Sequence, residues 1–311
     1  MSVTLVILLG ALSGVLCSPL PIQREESIKK LLSKEEFPRA TSNQKHPFQF
    51  RSKRTAFKHK YVYCNVGVAD YKFGPRIDII ATAAVSGTAH TKAATIISRM
   101  VKHMPSSICN KLAARVKVGV FTKPETMLMY SSNSHVADRP ECKGTCRGSC
   151  STTCTFDGRK YSTLAGSGGS TTTVVDDNIL CNDADPYYQQ NNILVHEFTH
   201  TIHGYGLGWA MKKRIHNAYN AAKSGGVWAS SSYAMANDQE YLAQGAAAYF
   251  NTNHIVQNGQ YMNECSPGRV CSGEIAARRH LNNKDKELYN ILSWIFLSND
   301  PSLPGYLSPC V

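Results

Sequence analysis

Along this chain, apolar residues recur in two rhythms, every second position and every third or fourth, and the switches between them mark the predicted elements. Tyr61 to Val68 alternates moderately and predicts a first strand; Ile77-Asp78-Ile79-Ile80-Ala81-Thr82 is a β-branched run that predicts a second. Ala89, Ala93, Ile96, Ile97, Met100 and Val101 repeat at helical spacing, so Thr88 to Met104 reads as a helix ended by Pro105. Arg115 to Phe121 returns to period two, a half-buried strand. Gly144 to Gly169, rich in Cys, Ser, Thr and Gly, reads as loop, and Thr171 to Cys181 as a strand or hairpin. Ile193 to His203 opens on an apolar run and predicts a buried helix, which Gly204, Gly206 and Gly208 end or bend away. Three further helices are expected over Trp209–Lys223, Ala234–Phe250 and Lys284–Leu297, the last with Leu288, Ile291, Leu292, Ile295 and Phe296 on one side.

Two segments at the start stand apart from this pattern. Val3 to Leu16 is apolar but shorter than the roughly 20 residues a bilayer span requires. It reads as a secretory signal peptide over residues 1–17, although it lacks a leading Lys or Arg. Residues 18–54 are polar and charged and close on Arg51-Ser52-Lys53-Arg54, which resembles a site cut by furin-type processing proteases. They read as a removable pro-segment, with a flexible basic linker as the alternative, and leave residues 55–311 as one large domain. No other stretch predicts a membrane span.

The formal charge is +12. Nine Lys/Arg and four Glu in the pro-segment account for +5 of it, leaving +7 spread over the domain. That residue carries no aromatic-plus-basic signature, so no nucleic-acid partner is expected; a solvated basic surface is the simpler reading. Of eleven cysteines, Cys17 falls at the signal peptide and ten remain, enough for up to five disulfides whose pairing the sequence leaves open. Cys142, Cys146, Cys150 and Cys154, each four apart, could hold a structural metal instead. The polar residues between them and the expected export favour a disulfide-stapled loop.

The chemistry concentrates in His196-Glu197-Phe198-Thr199-His200. Residues four apart share one helix face, so both imidazoles can reach one metal, while Glu197 is placed to act on a water rather than to ligate. A catalytic zinc site uses three protein ligands and keeps a fourth position open. A third histidine six residues after His200 is ruled out, because that position is Gly206 and the glycine such a motif needs is His203. His203 shares the helix face but lies a turn too far, so it is expected to pack behind the site. Asp176, Asp177, Asp183 and Asp185 are expected to serve turns and caps.

Glu240 is the best remaining ligand, within Tyr233-Ala234-Met235-Ala236-Asn237-Asp238-Gln239-Glu240-Tyr241-Leu242-Ala243. This stretch resembles the Y-A-x-x-N-x-x-E-[FY]-[FL]-A pattern of anthrax-lethal-factor-like gluzincin metallopeptidases, and His196-Glu197-Phe198-x-His200 resembles their H-E-F-x-H. The resemblance covers about 60 residues. It implies a zincin-like α+β domain: a small twisted sheet over an active-site helix, a helical C-terminal half, and disulfide staples. It further implies zinc held by His196, His200 and Glu240, Glu197 as general base, and Tyr233 as oxyanion donor. Where the family commonly has a carboxylate four residues after its glutamate ligand, this chain has Gln244, which adds no charge behind a ligating histidine. The expected function is a secreted, extracellular zinc endopeptidase made as a monomeric zymogen and acting on a protein or peptide. The alternative is a matrix or toxin protein on the same fold that binds zinc with little or no turnover.

Overall fold

A computed structural model describes residues 56–256 and 261–311. The expected signal peptide and pro-segment lie outside the described residues. A six-stranded sheet and a set of helices make the molecule mixed α+β, and no helix among the described residues is long and apolar enough to cross a membrane.

The first expected strand is a hairpin. β1 (Lys58–Tyr63) and β2 (Gly67–Ala69) pair antiparallel around a turn where Asn65 and Gly67 take positive φ. β3 (Ile77–Ala81) pairs antiparallel with β1, and β4 (Lys117–Phe121) and β6 (Thr171–Val175) extend the sheet in parallel. The short β5 (Gly166–Ser167) closes the edge antiparallel to β6, giving the order β2-β1-β3-β4-β6-β5. The crossover from β3 to β4 carries two helices, α1 (Gly87–Val101) and α2 (Ser106–Arg115). α2 corrects the sequence reading: Pro105 stops α1 but also stands at the N-cap of a second helix, and Arg115 ends that helix instead of opening a strand.

Period-two alternation then sorts the strand residues into two cores. Ile79, Val118, Val120 and Val174 face α1 and α4 (Ile193–Thr201), joining Ala93, Ile97, Leu194 and Phe198. Ile80, Phe121 and Val175 face the opposite way, onto Met127 and Tyr130 of the long β4–β5 connection. Hence β4 is buried on both faces beyond Lys117, not half-buried as expected. Tyr130 lies flat over Gly119, where a Cβ would meet its ring at 2.5 Å, and donates its hydroxyl to Val120 O at 2.6 Å.

After β6 the chain turns into a short helix, α3 (Asp176–Leu180), in place of a longer strand. The C-terminal half is helical: α5 (Trp209–Ser224), α6 (Asp238–Tyr249), α7 (Glu274–Lys284) and α8 (Lys286–Leu297), with a small β7–β8 pair (Glu264–Ser266, Arg269–Val270) before α7. α6 is buried nearly all round, which its alanines permit by letting neighbouring helices approach closely. Five disulfides join Cys64–Cys109, Cys142–Cys150, Cys146–Cys154, Cys181–Cys310 and Cys265–Cys271, so the Cys142–Cys154 run is a pair of interleaved staples.

Candidate metal centre

α4 is anchored before it begins. Asn178 Oδ1 accepts from Ile193 N at 3.1 Å, while its Nδ2 donates to Asp185 at 2.9 Å and to Asn191 O at 2.7 Å. Asp185 also accepts from Tyr187 N and Gln189 N, so it organises the turn that leads toward the helix. Apolar Leu194, Val195 and Phe198 bury one face; His196, Glu197 and His200 fall on the side that meets the cleft. At its far end Thr201 Oγ1 donates to Gly169 O at 3.0 Å, accepts from Gly169 N at 3.1 Å and lies 2.5 Å from Thr172 Oγ1. The segment after β5 is thereby clamped onto the helix. A Cβ at Gly168 would lie 2.4 Å from His200 Cβ, so only glycine permits this approach.

Beyond Thr201 the helix widens into a π-turn, Ile202–Gly206. The wider turn leaves His203 outside the ligand group, buried, with its Nε2 unpartnered among the described residues. Burial first, and the nearby Lys212 charge second, hold His203 below the usual imidazole range.

The third candidate ligand arrives from α6. Asn237 caps that helix, its Oδ1 accepting from Gln239 N at 3.0 Å and Glu240 N at 2.8 Å. The cap fixes Glu240 in the first turn, facing α4. The cap also splits the single helix expected over Ala234–Phe250: Tyr233–Met235 is a separate 3₁₀ turn, held where Met235 O accepts from Tyr219 OH and Lys223 Nζ.

His196 Nε2 and His200 Nε2 are 3.0 Å apart, and Glu240 Oε2 lies 3.1 and 3.4 Å from them. Tetrahedral zinc with bonds near 2.0–2.1 Å sets its ligand atoms about 3.3 Å apart, so the three atoms fit one ion closely. Glu240 Oε2 is buried outside hydrogen-bond geometry to either ring and has no other partner among the described residues. An orphaned carboxylate oxygen aimed between two imidazole nitrogens suits a cation. Burial opposes ionisation of Glu240, but the two imidazoles overcome it and hold the carboxyl well below its usual range. Burial likewise disfavours charge on His200, yet Glu240 and then Glu197 raise it above the ordinary imidazole value. The same field that keeps a proton there favours a dication in its place.

Tyr233 stands beside the group. Its hydroxyl donates to Glu240 Oε1 at 3.1 Å and accepts from Arg159 Nη2 at 3.2 Å, and its ring lies 6.4 Å from that of His196. Burial, then the Glu240 charge, push its phenol up far beyond the ordinary tyrosine value, so it is protonated at neutral pH. Gln244 is buried on α6 and lines a cavity with His196, but forms no hydrogen bond to either histidine. Two cavities, of about 220 and 360 Å³, share His196, Glu197, Tyr233, Tyr187 and Arg159 in their walls. One extends past Gly166 and Gly168 of the sheet edge, the other toward Ile193, Gln244 and Tyr261. Arg159 and the close-approach glycines escaped the sequence reading because their loop shows no periodicity.

No family model and no curated protein matches the chain. Among solved structures it is similar to a Pro-Pro endopeptidase from Paenibacillus alvei, at 17% identity over 70% of this chain and 97% of that one, with a TM-score of 0.41. At that level of likeness the geometry of the side chains, rather than the overlap, bears on chemistry.

Proposed function

We propose that this chain is a secreted zinc endopeptidase, zincin-like in fold and of the anthrax-lethal-factor-like gluzincin type its two motifs resemble. The observation that carries the reading is the convergence of His196, His200 and Glu240 within 3.0–3.4 Å, with Glu197 and Tyr233 in the same cavity wall. Two neutral imidazoles and one carboxylate form the donor set of a catalytic zinc with one position left open. A zinc ion held by His196, His200 and Glu240 would supply Lewis-acid polarisation of the scissile carbonyl and a more acidic water. Glu197 takes the proton from that water and returns it to the leaving amine. Tyr233 keeps its proton and turns its hydroxyl hydrogen bond from Glu240 Oε1 to the developing oxyanion. Five disulfides accord with an oxidising compartment and so with export.

Purified protein loaded with zinc is to be assayed against a quenched-fluorescent peptide library, with Glu197→Gln and a chelator as controls. Cleavage lost in both arms supports the reading. The second reading, a zinc-binding protein with little turnover, is favoured by Gln244, which supplies no carboxylate or hydrogen bond behind the histidines. Stoichiometric zinc with no chelator-sensitive cleavage of any peptide selects it.

A further inference from the structure

Resting on the endopeptidase reading, we propose that Arg159 is a positioning residue for the reaction, orienting and polarising the Tyr233 hydroxyl for the oxyanion. The disulfide-stapled loop is what delivers it. Cys154 and Lys160 pair across a tight turn in which Thr155 O accepts from Gly158 N at 3.0 Å and Thr155 N donates to Arg159 O at 2.9 Å. Lys160 pins the turn from below, donating to Asp138 at 2.6 Å, Cys142 O at 2.6 Å and Thr153 Oγ1 at 2.7 Å. Asp157 accepts from Arg159 Nε at 2.9 Å and sets the plane of the guanidinium, which leaves Nη2 to reach Tyr233 OH at 3.2 Å. Phe156 of the same turn lies over the Tyr233 ring at 6.0 Å.

Direction follows from the inventory of donors. A guanidinium only donates, so the phenol oxygen must accept from Arg159, and its single proton is left for another acceptor. At rest that acceptor is Glu240 Oε1; as negative charge grows on the substrate carbonyl oxygen, it becomes that oxygen. A charged donor behind the hydroxyl polarises its O–H and strengthens the bond it gives. Among the described residues that wall the two cavities, Arg159 is the only Lys or Arg.

The test uses the full chain loaded with zinc and the peptide cleaved fastest from the library. R159Q is expected to lower kcat about tenfold and leave KM within about twofold, with R159K between the two. Zinc affinity, read by competition with a chromophoric chelator, is expected to stay within about twofold in R159Q. Tyr233→Phe should lower kcat about a hundredfold, and adding R159Q to it should cost no more than about a further twofold. Full additivity of the two substitutions overturns the inference, as does zinc affinity falling in step with rate. A rise in KM confined to peptides with acidic side chains also overturns it, making Arg159 a substrate contact. Failure of the peptidase reading is distinguishable, because it appears with Arg159 in place: as no chelator-sensitive cleavage of any peptide, or as cleavage undiminished by Glu197→Gln.

Discussion

Gly168→Ala puts a methyl group where the fold has no room for one. Its Cβ would lie 2.4 Å from His200 Cβ and 2.9 Å from Glu197 O. Non-bonded carbons rest about 3.5–4.0 Å apart, so the segment after β5 must withdraw from α4 by about 1 Å or more. Neither obstacle can swing aside, since one is a Cβ and the other a backbone carbonyl within the helix. Withdrawal also stretches the two Thr201–Gly169 hydrogen bonds of 3.0 and 3.1 Å. Overpacking costs about 1–3 kcal/mol and each weakened hydrogen bond up to about 1 kcal/mol, which places the expected loss of stability at about 2–4 kcal/mol. A displacement of about 1 Å at a reacting group lowers turnover on the order of a hundredfold, so kcat should fall further than stability alone explains. Denaturant unfolding, zinc competition and turnover are to be measured beside Ser167→Ala, whose hydroxyl bonds only the neighbouring Gly168 O. Stability within about 0.5 kcal/mol of the unsubstituted protein, with rate unchanged, would refute the close approach of sheet edge and metal helix.

Three further perturbations follow from the packing. His90 is buried with Nε2 2.8 Å from Ile79 O, and burial chiefly, then Lys60, hold it below its ordinary value against the pull of that carbonyl. The unfolded chain therefore takes up a proton near about pH 6.5 that the folded chain refuses until lower pH; stability should fall as pH drops from about 7.5 to 5.5, and His90→Gln should flatten that slope in thermal melts. The Cys181–Cys310 bridge spans 129 residues, so replacing both by Ala should cost on the order of 3–5 kcal/mol in denaturant unfolding, and a loss below about 1 kcal/mol would deny it that role. Asp285 is buried and accepts from Trp228 Nε1 at 2.9 Å, Tyr241 OH at 2.7 Å and Leu288 N at 3.2 Å. Asp285→Ala leaves those donors unpaired inside the helical half and should cost about 3–5 kcal/mol by calorimetry, while Asp285→Asn, which keeps an acceptor oxygen, should cost less.

Elements with strong periodicity were legible in the sequence: α1, α5 and α8 lie within a few residues of their expected limits, as does β3. Three helices were not, among them the short α3, which was read within a strand or hairpin. α2 buries only Ile108, Cys109 and Leu112, too few apolar positions to show a stripe. α7 reads as polar because one of its buried residues is Arg278, whose guanidinium donates to Pro301 O at 3.0 Å and Leu303 O at 2.7 Å and lies 4.4 Å from the Tyr249 ring. Its charge is balanced by Glu274 one turn earlier, and an i,i+4 pair buried against distant carbonyls and an aromatic face looks the same in a linear pattern as a solvated one.

The placement of His196 and His200 on one helix face was settled by the sequence alone, because four residues along an α-helix are one turn and that relation is local. The helix expected from Ala234 ran past Asn237, the cap at which α6 begins. What only the tertiary structure decided is the approach of α6 to α4, the glycine edge against His200 and the arrival of Arg159 at Tyr233. Each of these joins segments with no helical or strand relation to one another. Their distances depend on how the core closes and on which cysteines pair, and those are properties of the folded whole.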